Sequence, residues 1–238
     1  MAAPAVTVRP FEVTHRGVLA IALPMTLAYL STPLLGVVNT AVIGRLGDAA
    51  LLGGLAIGAI IFDIVFTTFN FLRSGTTGFT AQAHGASDGT EMQAVFWRAM
   101  VLAAIAGLIV VAFHRQILAV GFLFIGGSSA VRDATATYYE IRVMATPLAL
   151  ANYVVLGWLI GRGRAGIGLA VQSLLNGLNV ILSIIFVNEL GYGVAGVAWA
   201  AFLSEATTAA VGIGISIYLM DRANQARACR HLGDSQIR

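Results

Sequence analysis

The chain has 238 residues, of which 58% are hydrophobic and 11% charged, with a formal net charge of +3, and its mean hydropathy is +0.85. A soluble domain carries roughly 25% charged residues, so composition excludes a water-soluble globule and makes the bilayer the solvent. The cations are all Arg, with no basic cluster interleaved with aromatics to suit nucleic acid. The single Cys229 excludes an intramolecular disulfide or a multi-cysteine metal site.

Residues 1–16 read as a short polar N-terminal tail on the cytoplasmic side. Span one, about 18–43, has no charged residue and is longer than a bilayer core requires. It contains Pro24 and Pro33, tolerated in membrane helices when neighbours satisfy the freed carbonyls, and the strongly polar Asn39. The run is too long for a cleavable signal and reads as an uncleaved anchor.

Span two, about 51–72, carries Asp63, Thr67 and Asn70 at i, i+4 and i+7, hence on one helical face. A carboxylate in that setting suits a proton carrier; a structural Asp bonded to Thr67 or a neighbouring helix suits it equally. The helix is expected to continue through 73–78 toward a loop at 84–89, with Arg73 snorkelling to the interface. Span three, about 94–113, begins with Trp97 and Arg98 at headgroup level. Residues 117–125 are too short to cross, and 114–142 read as an external connection with a helical second part.

Span four is about 143–160, with Pro147 inside. Span five, about 167–187, places Gln172, Asn176, Asn179 and Ser183 in one stripe on an otherwise apolar helix. Lipid penalises such a stripe, so it faces protein or a wet cavity. Span six, about 193–220, holds Glu205, and 221–238 form a polar tail or linker. Small-residue pairs, Gly54/Gly58 and Gly157/Gly161, would let helices approach closely. The expected fold is therefore all-α: a polytopic bundle of six transmembrane helices over 17–220. Ten of the 14 Arg lie on the side of the termini and four on the other, which places both termini in the cytoplasm. Nucleophile-elbow, zinc-protease and P-loop patterns are all missing from the spans, so an enzyme is not expected.

Several stretches together resemble the MATE (multidrug and toxic compound extrusion) family, its DinF-type branch in particular. They are Ala22-Leu23-Pro24-Met25, Thr32-Pro33-Leu34-Leu35-Gly36, Asn39 through Gly44, Asn70-Phe71-Leu72-Arg73, and Thr76-Thr77-Gly78 with Ala81-Gln82-Ala83. To these add Leu156 through Gly161, Asn176 to Asn179, and Gly191 through Ala198 followed by Glu205. The resemblance implies a multi-pass inner-membrane antiporter, bacterial in origin, for drug-like amphipathic substrates. It implies no cofactor beyond a coupling H+ or Na+. The chain corresponds to the N-terminal six-helix lobe only, so the partners implied are the bilayer, an organic substrate, and a second lobe or a homodimer.

The resemblance also marks departures. The family usually carries Asp where Asn39 stands, Asp where Ser183 stands, and a hydroxyl where Ala201 stands, leaving Asn179 of that site. The coupling candidates are then Asp63, Glu205 and Asn179. Asn39, Gln172, Asn176, Ser183, Thr67 and Asn70 are expected to line a cavity between spans one, two, five and six. A non-transporting half-transporter and a lipid or glycolipid flippase are the alternatives.

Overall fold

The computed structural model describes residues 14–235, so most of the expected N-terminal tail and residues 236–238 lie outside the described residues; side chains beyond Asp221 are likewise not described. Helix is the only regular structure among the described residues. Helix α1 runs His15–Gly44, α2 Ala49–Thr68, α3 Asn70–Gly85, α4 Gly89–Ala112, α5 His114–Ile125, and α6 Ser129–Val143. They are followed by α7 Thr146–Gly161, α8 Ala165–Ile184 with a π-turn Ile185–Glu189, and α9 Gly193–Ser235.

The short polar loops are helix starts. Asp48 accepts from the backbone N–H of Ala50 at 2.8 Å, and Asp88 accepts from those of Thr90 and Glu91. Each carboxylate satisfies donors a helix N-terminus leaves open and complements its dipole. Helix α1 continues through both Pro24 and Pro33. Helices α2 and α3 are interrupted only at Phe69 and form one 37-residue span, Ala49–Gly85.

Among the described residues, five helical stretches are long and apolar enough to cross a bilayer; α6 and α7 make a sixth if counted as one span bent by 54°. Pro147 explains the bend. It lies at the start of α7, cannot donate to the carbonyl four residues back, and its ring crowds that carbonyl. Counted so, residues 129–143 are the first half of a bent fourth span, where the sequence reading has an external connection with a helical second part. Helix α9 runs on to Ser235, through much of the stretch expected as a polar tail or linker. Outward faces are apolar, with Leu23, Leu34 and Val37 on α1 and Ile105 and Leu108 on α4 exposed, as hydrocarbon requires.

Packing is built on glycine crossings. A methyl group added at Gly54 would fall 2.5 Å from the Cβ of Ala134, and Gly58 lies directly against the Tyr138 ring, so α2 seats on α6. A methyl at Gly157 would fall 2.6 Å from the Arg73 carbonyl oxygen, and one at Gly161 2.6 Å from that of Thr77, so α3 seats on α7. Two apolar clusters result. One gathers Ile43, Phe62, Tyr139, Val187 and Val197; the other gathers Leu72, Phe96, Leu150, Trp158 and Met220. They share only partly buried contacts such as Phe66 and Phe69, and the span centres lie between them.

The crossings generate a test. Gly157→Val should cost about 1–3 kcal/mol by overpacking and lower the unfolding temperature of the purified protein in detergent. Gly177→Ala, in the interior of α8 where an added methyl meets nothing within 4 Å, should not lower it and should raise it slightly through helix propensity.

Candidate functional site

Between the two apolar clusters lies an open cavity of about 360 Å³. Every span except α4 contributes to its wall. Thr32 and Leu35 come from α1, Asp63, Phe66, Thr67, Asn70 and Arg73 from α2–α3, and Gln172, Leu175 and Asn176 from α8. Glu205 comes from α9, and Arg142, Ala149, Asn152, Tyr153 and Leu156 from the bent span. Spans one, two, five and six were expected; the fourth adds five residues, because its bend turns both halves inward.

The glycine crossings set which side chains meet. Gly58 against Tyr138 brings the next turn of α6, and with it Arg142, beside α2. Arg142 donates a short hydrogen bond to the Tyr138 hydroxyl and stacks 4.9 Å from the centroid of the Phe62 ring. It interacts electrostatically with Glu205 and Asp63. Asn152 Nδ2 donates to Glu205 Oε2 at 2.6 Å and to the Glu205 carbonyl at 3.1 Å. Arg73 donates to Asn70 Oδ1 at 2.6 Å and lies 5.3 Å from the Tyr153 ring centroid. Its guanidinium therefore lies on the cavity wall.

The polar stripe of α8 divides. Gln172 Nε2 donates to Asn176 Oδ1 at 3.3 Å, and Asn176 Nδ2 donates to Ser31 Oγ at 2.5 Å. These two line the cavity together with Asp63, Thr67, Asn70 and Glu205. Asn39, Asn179 and Ser183 do not. They form a separate buried cluster between α1 and α8, in which Asn39 Nδ2 and Ser183 Oγ both donate to Asn179 Oδ1, at 3.4 and 3.3 Å. Their expected place on the cavity wall is corrected accordingly. The two middle members of the stripe divide it, since Asn176 meets Ser31 and Asn179 meets Asn39, eight residues further along α1.

Sequence reasoning missed Asn152, Tyr153 and Arg142. Asn152 was detectable as a lone amide in an apolar span. Arg142 was not, because it sits two residues before the break between α6 and α7, in a stretch whose charges imitate a loop. No group of three or more His, Cys, Asp or Glu among the described residues is placed to hold a metal ion.

A family model, MatE, matches residues 24–185. The chain belongs to the MATE family. It is 37% identical over 193 residues to DNA damage-inducible protein F of Escherichia coli (strain K12), covering 81% of this chain and 42% of that protein. It is 23% identical to multidrug export protein MepA of Staphylococcus aureus (strain NCTC 8325 / PS 47) over 85% of this chain and 44% of that one. Among solved structures, a MOP superfamily transporter from Pyrococcus furiosus superposes with a TM-score of 0.77 at 22% identity, covering 83% of this chain and 43% of that chain. A MATE crystal structure in the bent conformation gives a TM-score of 0.76. The aligned stretch is thus less than half the length of these relatives. The MATE lobe fold, the membrane location and the DinF-type kinship read from the sequence all hold.

The Asn152–Glu205 contact is testable as a double-mutant cycle. Asn152→Leu alone leaves a buried carboxyl without its donor, whereas pairing it with Glu205→Leu removes both groups. A coupling of about 1–2 kcal/mol is expected in the unfolding free energy; strict additivity would mean that the contact is absent.

Proposed function

We propose that this MATE-family chain is the N-terminal lobe of an exporter of amphipathic organic molecules, driven by antiport of protons or sodium. The carrying observation is the 360 Å³ cavity at span centre, which holds Asp63 and Glu205 beside apolar wall residues. Intramembrane carboxyls facing a cavity are the groups that carry coupling ions in such a setting. Asp63 is the leading coupling residue, with Glu205 second. Thr67, Asn70, Gln172 and Asn176 serve as polar lining.

Relatives about twice as long as the aligned stretch support a requirement for a second lobe, either another six-helix chain or a second copy of this one. The same reading has both termini on the cytoplasmic side of a bacterial inner membrane, supported by the Arg distribution. Removing Arg73 and Arg142, which line the cavity, from the loop count leaves nine Arg against three.

One observation favours a second reading, a half-transporter that has lost transport. The Asn39–Asn179–Ser183 cluster keeps a polar geometry at the positions where the family resemblance implies acids, but holds no titratable group. Asn179 there is a hydrogen-bond hub and a weaker coupling candidate than Asp63.

The discriminating experiment is reconstitution with a second six-helix lobe in proteoliposomes under an imposed proton or sodium gradient. The wild-type chain should export a fluorescent organic dye, and Asp63→Asn should cut gradient-driven efflux at least tenfold. Wild-type efflux by the variant would remove Asp63 from coupling, and gradient-independent dye leakage by both would favour the non-transporting reading.

A further inference from the structure

The charges on the cavity wall balance. Two carboxylates, Asp63 and Glu205, face two guanidiniums, Arg73 and Arg142. A site for lipophilic cations needs a net negative wall, and a site for organic anions a net positive one, because an uncompensated charge in a low-dielectric pocket is costly. A neutral wall with separate poles fits neither.

The four charges are not equivalent. Arg142 is set back against the Phe62 and Tyr138 rings, hydrogen-bonded to the Tyr138 hydroxyl, and interacts with both Glu205 and Asp63. Glu205 is in turn held by Asn152. Asp63 is exposed on the wall, and Arg73 is half-buried, its guanidinium braced by Asn70 and the Tyr153 ring. Ten residues separate Asp63 from Arg73 along α2–α3, roughly 15 Å of axial rise, which the reach of the two side chains shortens. Between these poles the wall mixes apolar and aromatic side chains, Leu35, Phe66, Tyr153, Leu156 and Leu175, with the neutral polar groups of Thr67 and Asn70.

We propose that the cavity selects an amphipathic organic zwitterion, its acidic pole at Arg73, its cationic pole at Asp63, and its apolar body along Phe66 and Tyr153. The proposal rests on the cavity being the transport site. It also gives the exchange a simple form: a proton or sodium ion at Asp63 and the cationic pole of the substrate compete for one carboxylate, so arrival of the ion favours release of the substrate.

Three xanthene dyes of nearly the same body test it: rhodamine B, a zwitterion; its ethyl ester, a cation; and fluorescein, an anion. Binding to the full chain in lipid nanodiscs is measured by equilibrium dialysis at neutral pH, with empty nanodiscs as reference. Rhodamine B should bind at least tenfold tighter than either of the others. Arg73→Gln should lower rhodamine B to the level of its ester, and Asp63→Asn should raise fluorescein relative to the ester. Arg73→Lys, which keeps the charge, should retain most of the preference and so separates charge from folding. Tighter binding of the ester than of rhodamine B would overturn the zwitterion assignment and leave the cavity as an organic-cation site. Failure of all three dyes to bind above empty nanodiscs would overturn both this assignment and the transport reading of the cavity.

Discussion

Four charged side chains at the centre of a bilayer-spanning bundle impose the constraint from which the rest follows. Hydrocarbon offers nothing to solvate Asp63, Arg73, Arg142 or Glu205, so each must meet a counter-charge, an amide, an aromatic face or water. The fold supplies all of these in one place. Asn152 holds Glu205, the Phe62 and Tyr138 rings back Arg142, and Asn70 with Tyr153 braces Arg73. The cavity is the space this arrangement leaves open.

Backbone geometry makes the arrangement possible. Pro147 breaks the hydrogen-bond ladder of the fourth span and turns its halves 54° apart. Gly54 and Gly58 seat the first half on α2, while Gly157 and Gly161 seat the second on α3. Two helices that touch along two separate glycine crossings present both halves of each helix to a common interior. Small residues do this in a membrane because association there depends on close van der Waals approach, not on expulsion of water.

Much of this was legible in the sequence. Long uncharged runs mark spans wherever they occur, and the period-3.6 placement of Asp63, Thr67 and Asn70 correctly groups three residues on one wall. The bent fourth span was not legible, because Arg132, Asp133, Glu140 and Arg142 crowd its first half and mimic a surface connection. Periodicity also says nothing about length along the axis. It united Gln172 with Ser183 in one stripe, yet Gln172 and Asn176 line the cavity with Ser31 behind them, whereas Asn179 and Ser183 close an amide–hydroxyl cluster with Asn39. Hydrogen-bond partners across helices, such as Asn152 with Glu205, are a property of packing that no single helix displays.

The MATE lobe thus pairs a charge-bearing cavity with a neutral tie between α1 and α8, a division that concentrates any ion or ligand chemistry at α2–α3, α7 and α9. The most direct test of the account is water access to the cavity wall. With Cys229 changed to Ser, single cysteines placed at Thr67, Asn70 and Gln172 should react with a membrane-impermeant, water-soluble maleimide in proteoliposomes, while cysteines at Ile105 and Leu108 should stay protected by lipid. Equal protection of all five positions, or labelling confined to Ile105 and Leu108, would contradict a wet polar cavity enclosed by this bundle.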